Sequence, residues 1–376
     1  MKVGIDIRAL GARRTGDEVY IRHIVEAIKR QPYIDKQYYL FTDTVHWPNI
    51  PELQNLPDHV YVVPLTPGVK LIWTMYLLPR ACYLYEIDVL HVMYITPLLF
   101  LSPYTKIITT VHDISWKFVP EYIPLKDKLI LNCLIPLSLR KAHTILTVSK
   151  HAKESIHQIF STPREKITVV YNGGYLEQDI SSVTLSSAVQ DIVSKEYLLY
   201  LGSLQPRKNI PAIIRGFARY REQYKNSNAY LVIAGGKGYN YDSGIDQAIE
   251  ECGVGEYVIM PGYISEEEKF ILLRSARIFL FLSLYEGFGI PPIEAMSVKT
   301  PVIVSQASCL PEIVDKGGVI VDERNEDEVA QAIYTLNDHP YKRQQYQEHG
   351  LARAQDFQWS TMEDSILEIY SHMKDR

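Results

Sequence analysis

Two glutamates, Glu286 and Glu294, bracket a glycine- and proline-bearing stretch that reads Leu284-Tyr-Glu-Gly-Phe-Gly-Ile-Pro-Pro-Ile-Glu-Ala-Met296. A carboxylate accepts paired hydrogen bonds from adjacent hydroxyls, such as those of a sugar or a ribose. Gly287 and Gly289 let the backbone amides around Phe288 and Ile290 come close to a ligand. Pro291 and Pro292 suit the first turn of a helix, and the reading places Glu294 in that same turn, at the positive end of the helix dipole. Such a helix start can also receive a phosphate. The plainer alternative is a helix entry with two solvated glutamates.

Three further segments carry chemistry. Leu201-Gly-Ser-Leu-Gln-Pro-Arg-Lys-Asn209 presents Arg207 and Lys208 side by side, a planar fork and a point charge that together can clamp a diphosphate. Thr109-Thr-Val-His-Asp-Ile-Ser115 places His112 and Asp113 just past an apolar strand, where Asp113 either orients the imidazole or caps the next helix. The loop expected over 11–18 holds Gly16, Asp17 and Glu18. Taken singly, the first two are more often a solvated charge pair and a structural histidine.

Something must hold these residues together at one edge. Short β-rich runs at 2–7, 38–42, 60–63, 89–92, 106–111, 144–148 and 166–170 alternate with amphipathic stretches such as 19–29. A second series follows at 197–201, 229–234, 257–260, 278–282, 301–304 and 318–321. Alternation of this kind predicts βαβ units on parallel sheets. The Ser-rich stretch 178–194 reads as the linker between two doubly wound domains, 1–177 and 195–356. Residues 357–376 hold a helix over 359–374 that packs on its own domain or crosses back to the first. Each chemical segment then follows a strand, and ligands of doubly wound sheets bind at the carboxyl ends of strands.

The composition is that of an ordinary globular protein: 376 residues, 47% hydrophobic and 22% charged. A net charge of −5 argues against nucleic acid as a partner. The charge is unevenly spread, because residues 1–175 carry 20 basic and 15 acidic side chains, so the surplus of acid lies wholly in the remainder. Four scattered cysteines without a C-x-x-C pair fit a reducing cytosol. Charges at Lys2, Asp6 and Arg8 interrupt any signal-peptide core, and no apolar run approaches the roughly 20 residues of a membrane span. A cytoplasmic protein is expected.

The Glu-x7-Glu spacing of Glu286 and Glu294, preceded by Gly202 with Arg207 and Lys208, resembles the signature of the retaining nucleotide-sugar glycosyltransferases of the GT-B fold, and more closely of family GT4. The resemblance implies an α/β architecture of two Rossmann-like doubly wound domains facing across a cleft, the first binding the acceptor and the second the nucleotide sugar. It implies that Glu286 meets the transferred sugar, that Glu294 holds the ribose, and that Arg207 and Lys208 bind the diphosphate. His112 is carried over as a residue beside the transferred sugar, and Asn172-Gly173-Gly174 as a turn at the end of the first domain. Where relatives carry a second Arg after the glycine, this chain has Ser203. Where they carry a glycine pair, it keeps Gly16 but follows it with Asp17 and Glu18, which are therefore assigned with Asp113 to the acceptor side. No Asp-x-Asp occurs, so no metal or other cofactor is expected and the leaving group falls to Arg207, Lys208 and helix N-termini.

The segments look most like mannosyltransferases using GDP-mannose in surface polysaccharide assembly; UDP-glucose, UDP-N-acetylglucosamine and dTDP-rhamnose stay open. A sugar-nucleotide epimerase or hydrolase of the same fold, and a non-catalytic sugar-nucleotide-binding subunit, are the competing readings. The acceptor is a glycan or a lipid-linked glycan. Lys126, Lys128, Arg140 and Lys141 around the apolar 129–139, with the apolar 70–78, suit peripheral contact with an anionic membrane or, alternatively, buried helices with solvated ends.

Overall fold

A computed structural model describes residues 1–11, 16–32, 36–66, 69–175, 185–224, 228–238 and 240–373. The chain forms two compact units, one of Met1–Ile114, Ile123–Gly173 and Trp359–Arg376, the other of Ser115–Tyr122 and Gly174–Gln358.

The first unit is built on seven parallel strands: β1 (Lys2–Asp6), β2 (Gln37–Thr42), β3 (Val60–Pro64), β4 (Val89–Met93), β5 (Lys106–Thr110), β6 (Thr144–Thr147) and β7 (Ile167–Val169). Their order is β3-β2-β1-β4-β5-β6-β7, so the winding reverses between β1 and β4. The second unit repeats the plan with six: β8 (Tyr197–Leu201), β9 (Tyr230–Ala234), β10 (Val258–Gly262), β11 (Ile278–Phe281), β12 (Val302–Ser305) and β13 (Gly318–Val321). The order β10-β9-β8-β11-β12-β13 puts its reversal between β8 and β11. Central strands such as Ile278–Phe281 are buried along their whole length, as expected for parallel strands covered on both faces.

In the first unit the helix Gly16–Arg30 lays Tyr20, Ile21, Ile24, Val25 and Ile28 against β1, one apolar face at helical spacing. The helix Trp359–His372 joins the same core through Met362, Ile366, Leu367 and Tyr370. Polar ties accompany the packing. Glu363, almost fully buried, takes a hydrogen bond from His23 Nδ1 at 2.9 Å and an ion pair from Arg30. The Tyr370 hydroxyl meets His91 Nδ1 at 2.6 Å, and His91 Nε2 meets Thr110 Oγ1 at 2.7 Å. Thr110 Oγ1 in turn lies 3.1 Å from the Tyr20 hydroxyl. Burial first, and the nearby His112 second, push the His91 pKa down to about 3, so this relay is neutral at pH 7.

The stretch expected to be an unpatterned linker differs in part. Ser187–Val193 is a short helix whose Val189 and Ile192 are buried, and it packs against the helix Glu266–Ser275, to which Ser186 N also donates through Glu268 Oε1 at 3.0 Å. Two apolar side chains three apart were enough to close one turn, despite the serines around them. The remainder of that stretch, 178–184, lies outside the described residues.

Replacing Tyr370 by Phe leaves His91 Nδ1 buried without its partner. The expected loss of stability in the first unit is about 1–3 kcal/mol, read as a lower urea midpoint; an unchanged midpoint would show that the relay contributes nothing.

Candidate functional site

In the second unit the chemistry gathers at the reversal point of the sheet. The chain leaves β8 through Gly202 and Ser203, turns once at Pro206–Lys208, and enters the helix Ile210–Gln223. It leaves β11 through the loop carrying Glu286 and enters the helix Ile290–Ser297. Because β8 and β11 are hydrogen-bonded neighbours, the two loops emerge side by side, and Leu284 N donates to Arg207 O at 2.9 Å. Lys208 Nζ therefore reaches Glu286 Oε1 in a direct ion pair, and Arg207 Nη1 lies 3.2 Å from Glu286 Oε2. Arg207 Nη1 also donates to Tyr285 O at 3.2 Å.

Glu286 and Lys208 are each almost completely buried, whereas Arg207 stays partly open to solvent. Burial alone would raise the Glu286 pKa, but Lys208 and Arg207 outweigh it and hold the carboxyl at about 2. The Lys208 ammonium also sits 5.0 Å from the centre of the Phe281 ring. The result is an ionised carboxylate and two cations fixed within one hydrogen-bonded group.

Sequence reasoning missed what steadies the loop. Glu286 N donates to Ser308 Oγ at 2.9 Å, and the buried Cys309 thiol donates to the carbonyls of Glu286 and Phe288 at 3.3 and 3.1 Å. Both residues follow β12, the next strand in the sheet, which was the available signal: they stand at a third adjacent carboxyl end. Gly289 has φ +97° and a Cβ there would lie 2.8 Å from Leu310, so only glycine fits that turn. Phe288 is buried edge-on to Phe357, and Ile290, half-buried, opens the helix. Ser203 is exposed and offers its carbonyl to the Tyr200 hydroxyl at 2.8 Å.

Glu294 is a correction. The helix begins at Ile290, so Glu294 is its fifth residue and lies beyond the first turn, where the dipole acts little. What faces it is Lys269, whose Nζ is 2.6 Å from Glu294 Oε1 and 2.8 Å from Glu266 Oε2. Lys269 is the fourth residue of the helix Glu266–Ser275 and had no sequence signature.

In the first unit, His112 stands two residues beyond β5. Its ring packs edge-on to Tyr20, with centroids 4.7 Å apart, and Nε2 lies 3.5 Å from Asp17 Oδ1, too far for a hydrogen bond. Burial lowers its pKa more than Asp17 and Asp113 raise it, so the imidazole is neutral at pH 7. The expected loop 11–18 differs, because the helix already starts at Gly16. Residues 12–15 are outside the described residues. Asp17 and Glu18 thus fill the favourable first turn of that helix. Glu18 points inward, buried and paired with Arg22; Asp17 and the half-buried Asp113 lie near His112. Gly16 is exposed, with open space where a Cβ would stand.

Glu286 is ionised well below its unfolded pKa of about 4.5, so its contribution to stability is present above that value and is lost as pH falls toward about 2. The stability gap between wild type and Glu286→Gln should therefore narrow as pH is lowered from about 5 to about 3 in parallel urea titrations. A gap that stays constant would mean the carboxylate is not held by its cations.

Against known proteins, residues 185–353 match the family model described as Glycosyl transferases group 1, and residues 15–178 the model described as Glycosyltransferase Family 4. O-antigen chain mannosyltransferase B of Escherichia coli is 30% identical over 268 residues, covering 70% of this chain and 69% of its own. O-antigen chain mannosyltransferase RfbU of Salmonella typhimurium is 31% identical over 231 residues, 61% of each. Among solved structures, sucrose-phosphate synthase of Thermosynechococcus elongatus aligns with a TM-score of 0.75 at 18% identity, over 100% of this chain and 99% of its own. HepE of Anabaena, solved in complex with UDP and glucose, aligns with a TM-score of 0.74 at 19% identity, over 99% and 100%. The likeness in fold spans both units and is that of the GT-B enzymes, with two Rossmann-like domains.

Proposed function

The chain belongs to glycosyltransferase family 4, and from that premise we propose that it transfers a hexose, mannose from GDP-mannose, to an acceptor hydroxyl with retention at the anomeric carbon. The observation that carries this reading is the group formed by Glu286, Lys208 and Arg207 at the reversal point of the second sheet. The mannosyltransferase names of the two O-antigen relatives support the choice of sugar and a place in polysaccharide assembly.

The chemistry follows from charge. As the bond from the anomeric carbon to the diphosphate breaks, negative charge grows on the leaving oxygen and oxocarbenium-like charge on the sugar. Arg207 and Lys208 take up the first, in the preorganised manner that usually contributes most to catalysis. Asp-x-Asp is absent, so the reading assigns this task to the two cations without a metal ion. A diphosphate arriving there competes with Glu286 for both cations, which frees the carboxylate to accept hydrogen bonds from the sugar hydroxyls. The acceptor hydroxyl attacks from the face that the diphosphate leaves, its oxygen bonds to the anomeric carbon, and its proton passes to a donor phosphate oxygen. Glu294, held by Lys269, accepts from the ribose hydroxyls, and the neutral His112 hydrogen-bonds a sugar hydroxyl.

Peripheral binding to an anionic membrane from the cytoplasmic side belongs to the same reading. Along the helix Leu125–Lys141, Leu125, Leu129, Cys133 and Leu137 recur every fourth residue and all are exposed, with Lys126 and Lys128 beside them. Among the described residues no helix is long and apolar enough to cross a membrane.

The test of the reaction has two arms. GDP-mannose should raise the melting temperature more than UDP-glucose or guanosine does. Glu286→Gln, which keeps the shape of the side chain, should lower transfer by about 100-fold or more. Wild-type transfer by this variant would refute the site; a preference for a uridine donor would refute the choice of mannose. For the membrane, co-sedimentation with vesicles should rise with their content of anionic phospholipid, and indifference to that content would remove the idea.

A further inference from the structure

The second unit carries a cleft at the opposite end of its sheet from Glu286, which the reaction above does not use. Glu196 immediately precedes β8, Arg277 immediately precedes β11, and Asn228 stands two residues before β9. Because β9, β8 and β11 are neighbours, the three residues come side by side at the amino ends of the strands. Tyr230 N donates to Glu196 O and Arg277 N to Tyr197 O, both at 2.9 Å, so the sheet itself fixes their backbones. Across from them the helix Glu326–Asn337 ends at Asp338, and Pro340 opens the helix Pro340–Ala354. Arg343 folds back from that second helix, and its Nη1 donates to Asn337 O at 2.9 Å, a cation at the negative end of the helix before it. Together these residues line one cleft of about 300 Å³, at the small end of the range for ligand pockets. With five residues in β8, the cleft stands roughly 15–20 Å from the loop that carries Arg207 and Lys208.

Both guanidiniums keep open edges. Arg277 gives Nη2 to Glu196 in a direct ion pair, while its Nε and Nη1 have no partner among the described residues. Arg343 donates through Nη1 alone, to Asn337 O and more weakly to Leu336 O at 3.4 Å, which leaves Nε and Nη2. Burial first, and Arg277 second, lower the Arg343 pKa against the upward pull of Glu196 and Asp338, so all four charges act on one another. The acids have spare capacity too. Asp338 Oδ2 takes the Tyr220 hydroxyl at 2.8 Å, but Asp338 Oδ1 and Glu196 Oε2 have no partner among the described residues. The formal charges of the two arginines and two acids cancel, so a bare anion gains little net attraction here. The lining is polar except for Pro340, which disfavours an apolar occupant.

We propose that this cleft binds a monosaccharide phosphate, with the phosphate on Arg277, Arg343 and the Asn228 amide and the sugar hydroxyls on Glu196 and Asp338. The planar fork of an arginine suits the oxygens of a phosphate, and a carboxylate suits paired hydroxyls. Inorganic phosphate meets the two acids with like charge and nothing to give them. A free sugar leaves both guanidiniums unmatched. Only a ligand that carries an oxyanion and hydroxyls together uses both halves of the lining. The site is separate from the residues assigned to the donor and does not depend on which sugar is transferred.

The test is isothermal titration of the full chain with four separate probes: mannose 6-phosphate, glucose 6-phosphate, inorganic phosphate and mannose. At least one hexose phosphate should bind saturably, about tenfold or more tighter than inorganic phosphate and than mannose. Arg277→Gln removes the fork and should weaken that binding by about tenfold or more. Asn228 is exposed and makes no hydrogen bond among the described residues, so Asn228→Asp disturbs no contact of the fold while placing a negative charge at the phosphate. It should weaken binding by about fivefold. Arg207→Ala, at the far end of the same sheet, should leave the binding unchanged. Binding by neither hexose phosphate, or equal affinity for inorganic phosphate or for mannose, would overturn the ligand class. Affinity undiminished in both cleft variants, or lost in Arg207→Ala, would overturn the site. Sugar nucleotide binding to the wild type, followed by melting temperature, reports the donor residues separately, so a failure here leaves the transferase reading standing.

Discussion

Glu286 could not remain charged in its surroundings without Lys208 and Arg207, and their arrangement constrains much of the second unit. A buried carboxylate carries a desolvation penalty of several kcal/mol, roughly, and removing one partner of such a pair commonly costs about 3–5 kcal/mol. The pairing is possible only because β8 and β11 are neighbours, so that loops separated by almost eighty residues leave the sheet together. The third loop, after β12, then closes on the backbone of the second through Ser308 and Cys309. Position in the sheet, more than local sequence, makes the acid and its cations a unit.

That dependence explains which parts were legible beforehand. The strands of both sheets follow from continuous apolar runs bounded by turn residues, because parallel strands buried on both faces leave a strong signal in the chain. Arg207, Lys208 and Glu286 were legible as types at the ends of those strands. Their mutual ion pairs were not, since a contact across the sheet has no trace in either segment alone. Lys269 facing Glu294 is the sharper case: a lysine near a helix start looks like any solvated lysine until the helix is packed. Glu18, read as part of a loop, stands in a helix's first turn, and only the fold shows Arg22 one turn on, holding it inward. The Ser-rich stretch misled through composition, because Val189 and Ile192 sufficed to pin a helical turn.

The surplus of basic residues in the first 175 positions takes on a finer grain. Arg8, for all its formal charge, is tied to Asp6 by two hydrogen bonds and lies over the Trp73 ring. Lys126 and Lys128 are different, because they flank an exposed apolar stripe. A net charge summed over a domain cannot separate these two kinds of cation, one built into the fold and one available at its surface.

The packing of Trp359–His372 into the core of the first unit has a consequence for the way the chain is made. On the ribosome, the residues of β1 to β7 emerge long before Met362, Ile366 and Tyr370 do, so His91 waits without its tyrosine while the whole second unit is synthesised. The second unit has every strand and helix of its own sheet available first. The first unit's strands are made before the second unit, and folding can finish first in the second, which leaves the earlier unit with an unfilled apolar face until Trp359–His372 is made. Chains cut short near residue 358 would keep that face open, and quality control would meet them as half-cored proteins rather than as slightly shortened ones.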